Sequence, residues 1–406
     1  MKIGTQFFYT HSKTLWPIFL IIFITAVLIF AFQTCTGFNP QRNLASANLA
    51  LLQPPTDKLD SECMSSPSYD TCIFKKNPVA QQDKTYGTSP TANDLLKQQI
   101  YGVKLTQLGP ENPLENESIK VSSASGQAAP MGTSFKIAVN SDPDHLVDQL
   151  MAFYWLNRTI QYISPRTGLF YAQGKGIRVV VNDTLAGWSS VTNSIHLKSS
   201  DDGNHMAWNG DLLIYFLGLA NIHYATQGKI IDYGSGSSNK HRICGNGIAN
   251  GCCKTSQGCA KAIASGAADY LTAVMFPRQT ALGETWSNNI DGVNVCGISR
   301  NVANNKQLTA ESAFGACSDG AEDKEGEVHN LGSVYASIWW EVRTQVGDSE
   351  SANIDRLYTN HLPLLNGQDD FSTAFSKIQS LDQKLFAGKY SSLFSSQFNQ
   401  RGISLK

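Results

Sequence analysis

Charge is scarce in this chain of 406 residues. Asp, Glu, Lys and Arg make up 16% of it, against about 25% in an average soluble domain. The 32 basic and 33 acidic residues leave a net charge of -1, so no excess of one sign argues for nucleic acid as a partner. There is no internal repeat, so the chain is not read as an array. What replaces charge is Ser, Asn, Gln and Gly, which implies a polar but weakly charged surface. Length alone allows two or three domains, and a single two-lobed unit fits as well.

From Leu15 to Phe32 the chain is uncharged and largely apolar, and Lys2 and Lys13 precede it. That order matches a secretory signal or a membrane anchor with its amino end in the cytoplasm, so the remainder is expected outside the cytoplasm. At about 18 residues the stretch is just long enough to span a bilayer, and length leaves cleavage open. Cys35 closes it in a place that resembles the lipidated cysteine of bacterial lipoprotein signals, although Phe32-Gln33-Thr34 departs from the usual aliphatic-small-small pattern. Setting Cys35 aside from the nine cysteines leaves Cys63, Cys72, Cys244, Cys252, Cys253, Cys259, Cys296 and Cys317, an even set that suits disulfides in an oxidising compartment.

Three regions follow from composition: an anchor over residues 1–35, a tether over 36–140 and a compact domain over 141–406. The middle region is rich in Pro, Ser, Asn, Gln and Thr, with short apolar clusters such as Cys72-Ile73-Phe74 and Ile119-Lys120-Val121 but no sustained period. A Cys63–Cys72 disulfide is expected to stiffen it. Asp142-Pro143-Asp144 reads as the start of a helix running to about Ile163, with Leu146, Leu150, Phe153 and Tyr154 on one stripe and Pro165 as its stop. Strands are expected at Ile177–Val181 and Ser194–Lys198. Asp211 to Tyr224 is too uniformly apolar for a surface helix and reads as a central one. Further helices are expected over residues 260–276, 332–346 and 370–398, after a cysteine- and glycine-rich insertion over 240–259.

The order of these pieces, over roughly residues 142–402, resembles thermolysin- and fungalysin-type metallopeptidases of the gluzincin fold. Ala152-Phe153-Tyr154-Trp155-Leu156-Asn157-Arg158 is similar to the family's aromatic helix. Ala186, Gly187 and Trp188, followed by Asn193-Ser194-Ile195-His196-Leu197, look like the edge strand along which the family lays its peptide substrate. Asp211 to Leu219 aligns without a gap with D-x-x-x-H-E-x-x-H, and places Tyr215, Phe216 and Leu219 where the family has its histidine, glutamate and histidine. Ser265 stands for the third zinc ligand, a glutamate, while Asp269 matches an outer-shell aspartate and His329 a transition-state-stabilising histidine. Phe398-Asn399-Gln400-Arg401-Gly402-Ile403 resembles the fungalysin carboxyl end.

The resemblance implies an α+β, thermolysin-like fold: a mixed β-sheet lobe with an edge strand, and a mainly helical C-terminal lobe. It also implies a lost activity. Two imidazoles four residues apart share a helix face and hold zinc, while the glutamate between them activates water; Tyr215, Phe216, Leu219 and Ser265 cannot do either. Zinc is therefore expected to be absent, and the Tyr215 hydroxyl is expected to point at Asp269. A displaced metal site made of His196, His205, His223 and His329 has no recognisable spacing. Calcium at Asp319, Glu322, Asp323, Glu325 and Glu327 lacks the EF-hand pattern, and a solvated acidic loop accounts for the segment. The leading expectation is a catalytically inactive, membrane-tethered peptidase-like domain that holds a peptide or protein in a vestigial cleft. The alternative is an active metallopeptidase or other hydrolase with a relocated site, for which Ser265, His329 and Asp269 are the polar residues near the cleft.

Overall fold

The computed structural model describes residues 62–75, 78, 91–129, 135–139, 142, 145–199, 205–230, 256–276, 281–282, 300–305, 307–308 and 328–405. The expected anchor, Cys35, the insertion up to residue 255, and the acidic segment from Asp319 to Glu327 lie outside them. Among the described residues no helix is long and apolar enough to cross a membrane.

The main sheet contains β3 (Ile119–Ser123), β4 (Ile177–Asp183), β6 (Ser194–Lys198) and β5 (Gly187–Ser189), hydrogen-bonded in that order. β3 and β4 run parallel, as do β4 and β6, whereas β5 is antiparallel to β6. Parallel neighbours need a crossover, and α2 (Leu146–Thr167) supplies the one between β3 and β4. Alternating Ile119, Val121 and Ile177, Val179, Val181 form the buried face of the sheet.

β3 corrects the expected domain division. It falls inside the stretch read as a tether, yet it is a full member of the sheet, and the described residues from Glu62 onward belong to one compact unit. β1 (Thr71–Ile73) and β2 (Tyr101–Val103) make an antiparallel ribbon flanking α1 (Ala92–Gln98), which begins with a Thr91–Asp94 capping box. The Cys63–Cys72 disulfide is formed, and both cysteines are buried, so it clips a loop onto the folded body. Gln99 ties this region down: its amide donates to the Cys72 and Ile137 carbonyls and its oxygen accepts from the Val139 amide.

α2 starts and stops differently from expectation. Asp142 accepts hydrogen bonds from the Leu146 and Val147 amides, while the residue at the cap itself is His145, with φ of 53°. Pro165 sits inside the last turn, and the helix ends at Gly168, whose left-handed conformation at φ 76° suits a residue without Cβ. Both faces of α2 are covered by sheet and helices, so its buried surface is broader than one stripe.

α3 (Gly210–Thr226), α4 (Ser256–Met275) and α5 (Val328–Val346) form the centre of the helical part, with α4 packed against both of the others. α6 (Asp348–His361) was not expected, and the helical tail is two helices, α7 (Phe371–Phe386) and α8 (Ser391–Gln400), broken at Ala387-Gly388 where φ turns positive. A short ribbon, β7 (Ala281–Leu282) with β8 (Arg300–Asn301), completes the elements. One buried polar knot crosses the bundle: Asp355 of α6 accepts from Arg166 of α2 and Arg343 of α5, both at 3.0 Å, and from the Tyr270 hydroxyl of α4 at 2.8 Å.

Candidate functional site

α3 and α4 approach closely because small residues face each other. A Cβ built on Gly218 would lie 3.0 Å from both Cα and Cβ of Ala268. With the axes so near, the side chains one turn away fill the remaining space: Tyr215 is 3% exposed, Phe216 4%, and Ser265 and Asp269 are fully buried. Leu219 is half-buried and packs against the same core.

Three of the residues singled out from the sequence meet. The Tyr215 hydroxyl lies 3.2 Å from both Ser265 Oγ and His329 Nδ1, and Ser265 Oγ lies 2.8 Å from His329 Nδ1. The positions that the family resemblance assigns to the first ligand, the third ligand and the stabilising histidine thus form one hydrogen-bonded trio across α3, α4 and α5. The acceptor expected for Tyr215 was Asp269, and this is corrected: His329 and Ser265 take that role, and the buried Asp269 carboxylate receives no bond from the phenol. The reason is the imidazole of α5, which fills the side of the phenol that a two-helix picture leaves open.

Chemically the trio can do little in its present setting. Tyr215, Leu219 and Ser265 offer a phenol, an alkyl side chain and a hydroxyl, which do not make a zinc site, so these positions do not fit the metal that the resemblance implies. Ser265 and His329 have the separation of a nucleophile and its base, but the serine is sealed from solvent. A cavity of about 360 Å³ does open elsewhere, lined by Lys229, Ile230, Ala260, Lys261 and Asn366 among others, and none of the residues named above borders it.

The expected edge strand is two strands, and only the first is at the edge. Among the described residues β5 pairs with β6 alone, with Gly187 opposite His196, Trp188 opposite Ile195 and Ser189 opposite Ser194, and Ala186 directly precedes it, whereas Ser194 to Leu197, expected along the same edge, belong to β6 and lie between β4 and β5. Trp188 differs from expectation, being 2% exposed and packed near His223 and Tyr224 at ring separations of 6.0 and 6.3 Å. Its side chain belongs to the core, which leaves the backbone of β5 as the part able to meet a ligand.

The four histidines of the displaced site are distributed over the fold. His329 is in the trio and His223 stands beside Trp188. His196 bridges two groups, with Nδ1 2.7 Å from Asp183 Oδ2 and Nε2 2.6 Å from Ser194 Oγ. Burial alone would raise the Asp183 carboxyl, but the His196 hydrogen bond and the Leu185 and Thr184 amides outweigh it and lower its pKa. This Ser-His-Asp order matches an acyl-transfer triad, yet Ser194 is 1% exposed and engaged by Thr192, so no substrate reaches it. His205 joins Asp148 and His145, two residues that sequence spacing did not single out.

A scan against models of protein families finds no match, and a search of curated proteins finds none. Among solved structures the chain is similar to the precursor of protealysin, a metalloproteinase from Serratia proteamaculans, at 14% identity and a TM-score of 0.48, over 70% of this chain and 87% of the other.

Proposed function

We propose that this chain is a thermolysin-like domain that has lost peptide hydrolysis and keeps a binding or structural role outside the cytoplasm. It is held at a membrane by the apolar segment from Leu15 to Phe32 or by a lipid on Cys35. The observation that carries this reading is the trio of Tyr215, Ser265 and His329. The positions where the family would grip zinc and steady a tetrahedral intermediate hold a packed hydrogen-bond network instead, in which Tyr215 and Ser265 are buried and His329 is half-buried. Large apolar neighbours such as Phe216, each stabilising by roughly 1.5–3 kcal/mol when buried, favour the closed arrangement over an open cleft.

The role that remains is adding an extended segment of a peptide or protein to β5, which pairs on one side only among the described residues. Main-chain pairing of this kind needs no catalytic group. The test is incubation of the purified full chain with casein, with and without a chelator, alongside a peptide array. No cleavage in either sample and retention of extended peptides are expected; cleavage abolished by Ser265→Ala would establish a relocated hydrolytic site instead.

A further inference from the structure

At the start of α2, three donor atoms from distant parts of the sequence converge. Asp148 Oδ2 lies 2.6 Å from His205 Nδ1 and 3.6 Å from His145 Nδ1, and all three atoms are within 4.8 Å of one another. We propose that His145, Asp148 and His205 form a binding site for a divalent transition-metal ion, separate from the α3–α4 region.

The donor set decides the class of ion. Two imidazole nitrogens and one carboxylate oxygen suit zinc and its first-row neighbours, whereas calcium and magnesium take oxygen-rich shells. Three protein ligands also leave a coordination position for water.

The surroundings hold the ligands in place. Trp208 Nε1 donates to Asp148 Oδ1 at 2.7 Å, which occupies one carboxylate oxygen and turns the other toward the imidazoles. The His205 ring lies flat on the Trp208 ring, with centroids 4.2 Å apart and the planes parallel, so its orientation is fixed as well. Such supporting contacts around a metal ligand tune affinity. Side-chain exposure falls from 32% at His145 through 16% at His205 to 2% at Asp148. The carboxylate is therefore the floor of the site and the imidazoles are its solvent-facing rim, which gives an ion a way in.

A helix N-terminus ordinarily repels a cation, because its free amides carry partial positive charge. Here Asp142 covers the Leu146 and Val147 amides, so that end is already met by a carboxylate. Binding exchanges one contact for another. The ion takes the place of the proton between His205 Nδ1 and Asp148 Oδ2, that proton passes to solvent, the bound ring is neutral with its proton on Nε2, and the two donors move apart by about 0.7 Å, from contact to the spacing of two ligands each about 2.0–2.1 Å from a tetrahedral zinc.

The test uses the purified full chain, stripped with chelator and titrated with zinc chloride against a chromophoric competitor, with cobalt(II) absorption as a second readout. One zinc per chain is expected, undisplaced by millimolar calcium. His145→Gln, on the exposed rim, and His205→Gln are each expected to weaken binding at least about tenfold, with melting temperatures recorded to show that both variants fold. His329→Gln and His223→Gln are expected to leave affinity unchanged. No stoichiometric zinc, or zinc retained in the His145→Gln/His205→Gln double variant, overturns the site. Zinc lost only in His329→Gln overturns both this site and the inactive reading of the α3–α4 region, whereas loss only in the His145 and His205 variants leaves that reading standing.

Discussion

Gly266 of α4 and Gly332 of α5 touch backbone to backbone. A Cβ on Gly266 would lie 2.2 Å from the Gly332 carbonyl oxygen, and one on Gly332 would lie 2.9 Å from the Gly266 nitrogen. Neither obstacle is a side chain that can swing aside, so the two helices would have to part. Gly266→Ala is expected to cost at least about 2–3 kcal/mol, read as a lower urea midpoint. Gly218→Ala, whose nearest atoms are at 3.0 Å, is expected to cost less; a Gly266→Ala protein as stable as the parent would contradict the packing described.

Tyr215→Phe removes the phenol from the trio and leaves Ser265 and His329 bonded to each other. A loss of about 1 kcal/mol is expected, the usual net contribution of one hydrogen bond whose partners remain satisfied. Chemical denaturation of both proteins checks this. An effect above about 3 kcal/mol would mean that the hydroxyl carries a larger network than these contacts.

Acid sensitivity should trace to His361. The ring is fully buried against the Tyr335 hydroxyl at 2.8 Å, and burial, reinforced by the charge of Lys377, pushes its pKa down from 6.5 to about 3. Between those values the unfolded chain binds a proton that the folded chain does not. The contribution is therefore present above about pH 6.5 and is lost as the pH falls toward 3. Between pH 7 and pH 4.5 this one group should remove on the order of 2–3 kcal/mol. His361→Gln, which can still accept from Tyr335, should show a shallower acid limb in melting temperature; an identical limb would assign the acid sensitivity elsewhere.

The knot at Asp355 gives the largest expected stability change in the helical part. Asp355→Asn leaves Arg343, whose side chain is only 11% exposed, without its counter-charge, and weakens the contacts to Arg166 and Tyr270. A loss of about 3–5 kcal/mol is expected, as when one partner of a buried ion pair is removed. The urea midpoint and its slope, compared with the parent, measure it.

Long apolar or strongly periodic segments were legible in the sequence. The uniformly apolar Leu212 to Ala220 signalled a buried central helix, and the alternation around Ile195 and Leu197 signalled a strand. β3 was not legible, because Ile119-Lys120-Val121 becomes a strand only through parallel pairing with Ile177-Arg178-Val179, far along the chain. α6 was missed because Asp348 to His361 carries much of its surface as charge and amide, with few apolar positions to set a period. In the site, the resemblance assigned Tyr215 and Ser265 to two positions of one ligand set, and the structure brings these two residues into contact. The hydroxyl's true partner was not readable, because His329 arrives from a third helix. His145 and Asp148 gave no signal either, as the third member, His205, is 57 residues beyond Asp148 and no short motif links them.

The membership of β3 in the sheet sets a practical limit on how the protein can be trimmed. A recombinant fragment beginning at Ser141, where composition suggests a natural cut, would strip the outer neighbour from Ile177–Val181 and leave an unpaired, valine-rich border open to sticking against other copies. Any shortened version meant for the bench has to begin upstream of the Cys63–Cys72 loop.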